Sequence, residues 1–171
     1  LWRAEVDPAA LAWYARNQFF LDRKRRTVGE AASRLRLLYG HHFVGSRPDL
    51  AREHLSVARA WAIESGHVEV SLRAHELDCA IKASAAEYAD ALKEATEGLQ
   101  VAEACGFRLF ELRFGLAISE IYMLQGRKDD ALRFAQRTLA LGRTCGVDPD
   151  MTAVRRAEEI VASVTTPSKA E

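Results

Sequence analysis

Residues 126–146 read GRKDDALRFAQRTLALGRTCG, and residues 86–106 read AEYADALKEATEGLQVAEACG. Laid over one another, they agree at Asp130 and Asp90, Ala131 and Ala91, and Leu132 and Leu92. They agree again at Ala135 and Ala95, Leu139 and Leu99, Cys145 and Cys105, and Gly146 and Gly106. The offset is 40 residues throughout, and Leu50 to Gly66 is a more diverged copy that keeps Ala51 and Gly66. A fixed period of this length in a helical pattern is the signature of a solenoid. Each unit of a solenoid buries its apolar face on its neighbours, and the product is an extended surface. The repeat therefore points to a binding scaffold and leaves the bound partner open.

Working outward, the punctuation supports helices. Gly66, Gly106 and Gly146 fall where a helix ends in a left-handed residue, a conformation glycine takes without strain. Asp7-Pro8 and Asp148-Pro149 read as N-cap followed by first helical residue, because Asp accepts orphan amide hydrogens and proline has none to lose. Pro48 marks another start. Between these marks apolar residues recur at three and four, as in Leu35, Leu38 and Tyr39, or Leu109, Leu112, Leu116 and Tyr122. The pattern predicts eight helices, at 9–25, 28–44, 48–65, 67–84, 87–105, 107–125, 128–145 and 148–164. Short connections make sequential helices antiparallel neighbours. The tail, 165–171, is polar, carries Pro167 and is expected to fray.

The chain has 24 Lys plus Arg and 24 Asp plus Glu, so no global charge draws it to nucleic acid or an anionic membrane. Its longest apolar stretches fall far short of a membrane span. Cys79, Cys105 and Cys145 are an odd set, which fits a reducing cytoplasm. Cys105 and Cys145 sit in equivalent places of successive repeats, too far apart for a disulfide. They read as small buried residues at helix ends.

The stretch Gly126-Arg127-Lys128-Asp129-Asp130-Ala131-Leu132, with Ala135 after it and Tyr122 before it, resembles the tetratricopeptide repeat. It carries that family's turn glycine, acidic opening of the second helix, small residues where paired helices touch, and first-helix tyrosine. The resemblance is clear over 107–146, weaker over 67–106 and weakest over 27–66. The period is 40 rather than the family's usual 34 or so, as in the sensor arms of bacterial signal-transduction ATPases and transcription activators. Lys82 and His42 stand where the tyrosine belongs, and Ala86 and Ser46 where the turn glycine belongs. The resemblance implies an all-α, right-handed α-solenoid of antiparallel helix pairs in a single domain over 1–164. The domain would comprise a half-repeat at 9–26, repeats at 27–66, 67–106 and 107–146, and a capping helix at 148–164.

The same resemblance implies a protein- or peptide-binding scaffold, the interaction or sensor part of a larger regulator. The first helix of each pair would line a concave face. Carried over, that face holds Ser33, Arg36, Gly40 and Phe43 in the first copy. It holds Arg73, Glu76, Ala80 and Ala83 in the second, and Arg113, Leu116, Glu120, Met123 and Leu124 in the third. Arg73 and Arg113, 40 apart, would stack on one face, where two guanidiniums could grip a carboxylate or phosphate. The alternative is local pairing, Arg73 with Glu69 and Arg113 with Glu120. Chaperone-binding members grip a terminal carboxylate with lysines and asparagines. Here the sole asparagine is Asn17, outside the repeats, so that mode is not expected. Phe43, Leu116, Met123 and Leu124 suggest a partly apolar groove for a helix or an extended peptide, or else ordinary core between repeats.

Two further readings stay open. Trp2, Trp13, Phe19 and Phe20 could cap the N-terminal end of the array or join two copies of the chain. An anionic small molecule could lie in the groove near Arg36, Arg73 and Arg113. The basic run Arg23-Lys24-Arg25-Arg26 reads as a cationic helix C-terminus complementing the macrodipole. His41, His42, His54, His67 and His75 show no metal-ligand spacing. Glu103 and Glu111 read as solvated carboxylates. No phosphate loop, dinucleotide fingerprint or nucleophile elbow is present. The expectation is no enzyme, no cofactor, no metal, no nucleic acid and no membrane.

Overall fold

The computed structural model describes residues 29–148 and 151–165. These residues form seven helices: α1 (Glu30–Phe43), α2 (Pro48–Ser65), α3 (Val68–Ser84), α4 (Tyr88–Cys105), α5 (Arg108–Leu124), α6 (Lys128–Thr144) and α7 (Thr152–Thr165). No strand occurs among the described residues. The helix expected at 9–25, the Asp7-Pro8 start and the basic run lie outside them.

Local chemistry sets the ends. Pro48 opens α2 in the first turn, where its missing N–H costs nothing. At the other end of α2, Gly66 takes φ 69° and donates to Ala62 O. His67 N also donates to Ala62 O at 3.1 Å. The same left-handed turn recurs at Gly106, Gly126 and Gly146, with φ 73°, 73° and 63°. The turn between α3 and α4 keeps this conformation on an alanine, Ala86 at φ 60°. Most residues pay about 1–2 kcal/mol there.

One helix start differs from the sequence reading. α7 begins at Thr152, four residues after the expected Asp148-Pro149 start. Met151 N donates to Asp148 O at 2.9 Å, so a turn comes first. Met151, just before the helix, packs against the core.

The chain divides into two compact units, with the boundary between Ala86 and Glu87, inside the second repeat. In the first unit α1 and α2 pair, and α3 lies against both. Leu37, Leu55, Val70, Leu77 and Ile81 fill the space between them, interleaved with Ala51, Ala58, Ala62 and Ala74. In the second unit α4 packs on α5, α5 pairs with α6, and α7 lies against both α5 and α6. Its core is Leu116, Leu139, Val154 and Ile160 among Ala131, Ala135, Ala153 and Ala157. Alanine lets helix axes approach closely, and each large apolar side chain buried among them contributes about 1.5–3 kcal/mol.

Glycines mark the tightest crossings. A Cβ on Gly40 would lie 2.2 Å from Leu77 Cδ2, and one on Gly115 would lie 2.5 Å from Thr138 Oγ1. Ser119, wholly buried, bridges α5 to α6 by donating to Ala131 O at 2.7 Å. The cysteines depart from expectation: Cys79 is buried, while Cys105 and Cys145 are exposed, and all three are free thiols. The last buried residues of α4 and α6 are Ala102 and Gly142. Both exposed cysteines lie beyond those points, where the chain is already turning away from the core.

Candidate binding face

In the first unit, Glu69, Arg73, Glu76, Ala80 and Ala83 follow one another along α3 at spacings of four and three, and all are half-buried. Arg73 is held by its own helix, its Nε and Nη2 donating to Glu69 Oε1 at 3.1 and 3.0 Å. Glu69 also accepts from Arg34 Nη2 of α1 at 2.5 Å through its other oxygen. Arg34 in turn pairs with Glu30 at 2.8 Å. Glu30 meets His67 Nε2 at 3.3 Å, while His67 Nδ1 accepts from Val70 N at 3.4 Å as the cap of α3. Two carboxylates and two guanidiniums thus tie α1 to α3 as a neutral network. Local pairing, the alternative reading for Arg73, is what this unit holds.

Arg36 and Phe43 are half-buried on α1. Phe43 leans on the core of this unit and stacks on His54 at 6.1 Å between centroids. Ser33 and Gly40, also assigned to the face, are buried instead. Gly40 is covered by Leu77 of α3, which needs its missing side chain to approach.

In the second unit the outer side of α5 carries Leu109 and Leu124, which are exposed, with Arg113, Ala117 and Glu120 half-buried between them. Those positions fall on one narrow face, because residues three and four apart on a helix are neighbours. Leu109 is 48% exposed and Leu124 47%. The Arg113 guanidinium lies 5.6 Å from the Phe110 ring centroid. Glu120 pairs across to α7 rather than with Arg113. Both bonds from Arg156 reach its Oε1, at 3.4 and 3.3 Å. Arg156 also pairs with Glu159, which holds its guanidinium above the usual arginine range, Glu159 first and Glu120 after it.

Leu116 does not belong to this face. It is 1% exposed and sits in the core against α6 and α7, while Ala117, one residue on, is half-buried. Met123 is half-buried and packs on the same core. Leu109, grouped with the apolar core pattern in the sequence, is on the outside. The helix reads RLFELRFGLAISEIYML. It is apolar nearly all round, so no polar stripe fixed its rotation. The spacing of four from Arg113 back to Leu109 and on to Ala117 was the available signal.

No family model matches the chain, and no curated protein matches it.

Two other carboxylates are structural. Glu111, expected in solvent, is 5% exposed and accepts from Arg108 Nη1 at 2.9 and 2.8 Å. Arg108 stays outside and reaches over it, which neutralises the buried charge. Asp78, also buried, accepts at Oδ2 from Arg59 at 2.8 Å and from Lys82 at 3.3 Å. Glu103 lies on the surface, paired with Arg137 of α6. No described helix is long and apolar enough to cross a membrane. Trp2, Trp13, Phe19 and Phe20, the residues of the assembly reading, lie outside the described residues.

Proposed function

We propose that the chain is a tetratricopeptide-like right-handed solenoid that binds a protein or peptide on the face formed by its first helices. On this reading it is the interaction or sensor part of a larger cytoplasmic regulator. The observation that carries the proposal is the α5 stripe: Leu109 and Leu124 stand exposed at its ends, with Arg113, Ala117 and Glu120 between. Exposed leucines on a helix face with satisfied charges between them are what a partner's apolar side chains would cover.

The packing is consistent with this. In each unit a third helix lies against both members of the preceding pair, which is how a helical repeat array propagates. A small anionic ligand is the weaker reading. The Arg73 guanidinium is already engaged by Glu69, and an anion would have to displace that carboxylate.

The test is recovery of a partner by the chain from its native lysate, compared with an Arg73→Glu/Arg113→Glu variant whose helicity is checked by circular dichroism. The proposal expects a specific partner to be lost from the variant. Unchanged recovery defeats the assignment of this face.

A further inference from the structure

His67 touches all three helices of the first unit. Its main chain closes the end of α2, its N–H donating to Ala62 O at 3.1 Å. Its side chain is the N-cap of α3, where Nδ1 accepts from Val70 N at 3.4 Å. Its Nε2 faces Glu30 Oε2 of α1 at 3.3 Å, and its ring centroid lies 5.5 Å from that of Trp61 in α2. A neutral imidazole that accepts at Nδ1 carries its proton on Nε2. The neutral ring therefore caps α3 and donates to Glu30 at the same time.

The cationic ring cannot do both. Each of its nitrogens carries hydrogen, so Nδ1 has no lone pair left for the Val70 N–H. Nε2 still donates to Glu30, now as one half of an ion pair. We infer that His67 is a proton-operated switch at the start of α3. Neutral, it caps the helix; protonated, it releases the cap and holds to Glu30 of α1.

The charges around the ring do not replace the lost acceptor. On α1, Glu30 is also held by Arg34 at 2.8 Å. On α3, Glu69 divides its oxygens between Arg34 and Arg73. From α2 the ring meets Trp61, which carries no charge, and Glu64 is exposed and makes no ion pair with it. The two helix ends act on the cation in opposite senses, since the end of α2 attracts positive charge and the start of α3 repels it. The difference between the two states is therefore the cap itself. Among α1 to α6, α3 is the only helix whose start is capped by a side chain, so protonation of His67 acts on α3 alone.

Glu69 stands in the turn that the cap closes, and through it that turn holds Arg34 and Arg73. Releasing the cap loosens the anchor of this charge network. The inference stands on the geometry of the first unit and does not need the partner reading. If both hold, acid weakens the part of the binding face that lies on α3.

The experiment follows hydrogen exchange of the Val70 amide in the full chain by NMR, with rates corrected for the intrinsic effect of pH. It compares about pH 8 with about pH 5, the interval in which histidine ordinarily changes charge. Wild type should lose about fivefold in protection on acidification, the equilibrium factor of a typical N-cap. His67→Asn keeps an acceptor that does not titrate and should be equally protected at both pH values. His67→Ala has no acceptor and should match acidified wild type at both. Unchanged protection in wild type, or a loss in His67→Asn as large as that of wild type, overturns the inference.

Discussion

The ring of Phe114 in α5 lies so close over Gly98 in α4 that a Cβ on Gly98 would stand 2.3 Å from its Cζ, 2.6 Å from Cε1 and 2.8 Å from Cε2. Phe114 has no exposed surface and cannot swing aside. Replacing a mid-helix glycine by alanine ordinarily gains about 1 kcal/mol of helix propensity, while overpacking a closed core costs about 1–3 kcal/mol. With three ring atoms overlapped, the steric cost wins. Gly98→Ala should lower stability by about 1–2 kcal/mol by that balance, measured by urea denaturation. Adding Phe114→Leu should recover part of the loss. A Gly98→Ala protein as stable as wild type would show that α4 and α5 can separate at little cost.

Ala86 offers the opposite substitution. It holds φ 60° where the equivalent turn after α5 has Gly126 at φ 73°. Glycine relieves the left-handed strain but loses more entropy on folding, so the net gain is smaller than the strain itself. Ala86→Gly should raise stability by about 0.5–1 kcal/mol, and Gly126→Ala should lower it by a similar amount. Thermal melts of both variants test the pair. If Ala86→Gly melts lower than wild type, left-handed strain is not what limits that turn.

Tyr39 supplies a pH dependence. Burial pushes its phenol above the usual value of 10.0, because the phenolate is poorly solvated in the core. The folded state therefore keeps its proton while the unfolded chain loses it. The contribution of Tyr39 is fully present below pH 10 and falls away as pH rises through the folded value. Chemical denaturation between neutral pH and pH 11 should show stability dropping in the alkaline range, with a shallower drop in Tyr39→Phe. Identical alkaline slopes in the two proteins would remove Tyr39 as the cause.

The thiols give a quick check on the helix ends. Cys105 and Cys145 are exposed and Cys79 is 5% exposed. An aromatic disulfide reagent should label two thiols at once in the native protein and the third only as the protein opens. Cys105→Ser and Cys145→Ser should each remove one fast equivalent. Three fast thiols would mean that α3 opens readily around Cys79.

Much of the fold was readable in the residues themselves. The 40-residue recurrence of Gly66, Gly106 and Gly146 placed three helix ends, because a left-handed residue must stop a helix and glycine does so without strain. Pro48 placed a start for the complementary reason. Six of the seven described helices begin and end within about two residues of where this punctuation put them. α7 starts later than Asp148-Pro149 suggested, at Thr152, with Met151 packed against the core just before it. The loss of glycine at 86 did not change the turn, which Ala86 holds at φ 60°.

The outer side of α5 was legible in part. Of the residues carried over to it from the sequence, Leu124 is exposed, Arg113 and Glu120 are half-buried, and Leu116 is in the core, while Leu109, not among them, is exposed. The difference lies in the helices. α6, KDDALRFAQRTLALGRT, alternates polar and apolar faces, so its buried side follows from its letters. α5 is apolar on almost every side, and its rotation depends on which neighbours claim which side.

Sequence by itself determined that this chain is helical, where most of its helices end and that its units repeat. Those properties reside in backbone conformation and local spacing, which each segment carries with it. Tertiary structure alone decided which leucine of α5 is core and which is surface, that Arg73 is spent on Glu69, and that Glu111 is buried beneath Arg108. Those outcomes depend on side chains from different helices competing for the same space and the same charges, and no single segment holds that information.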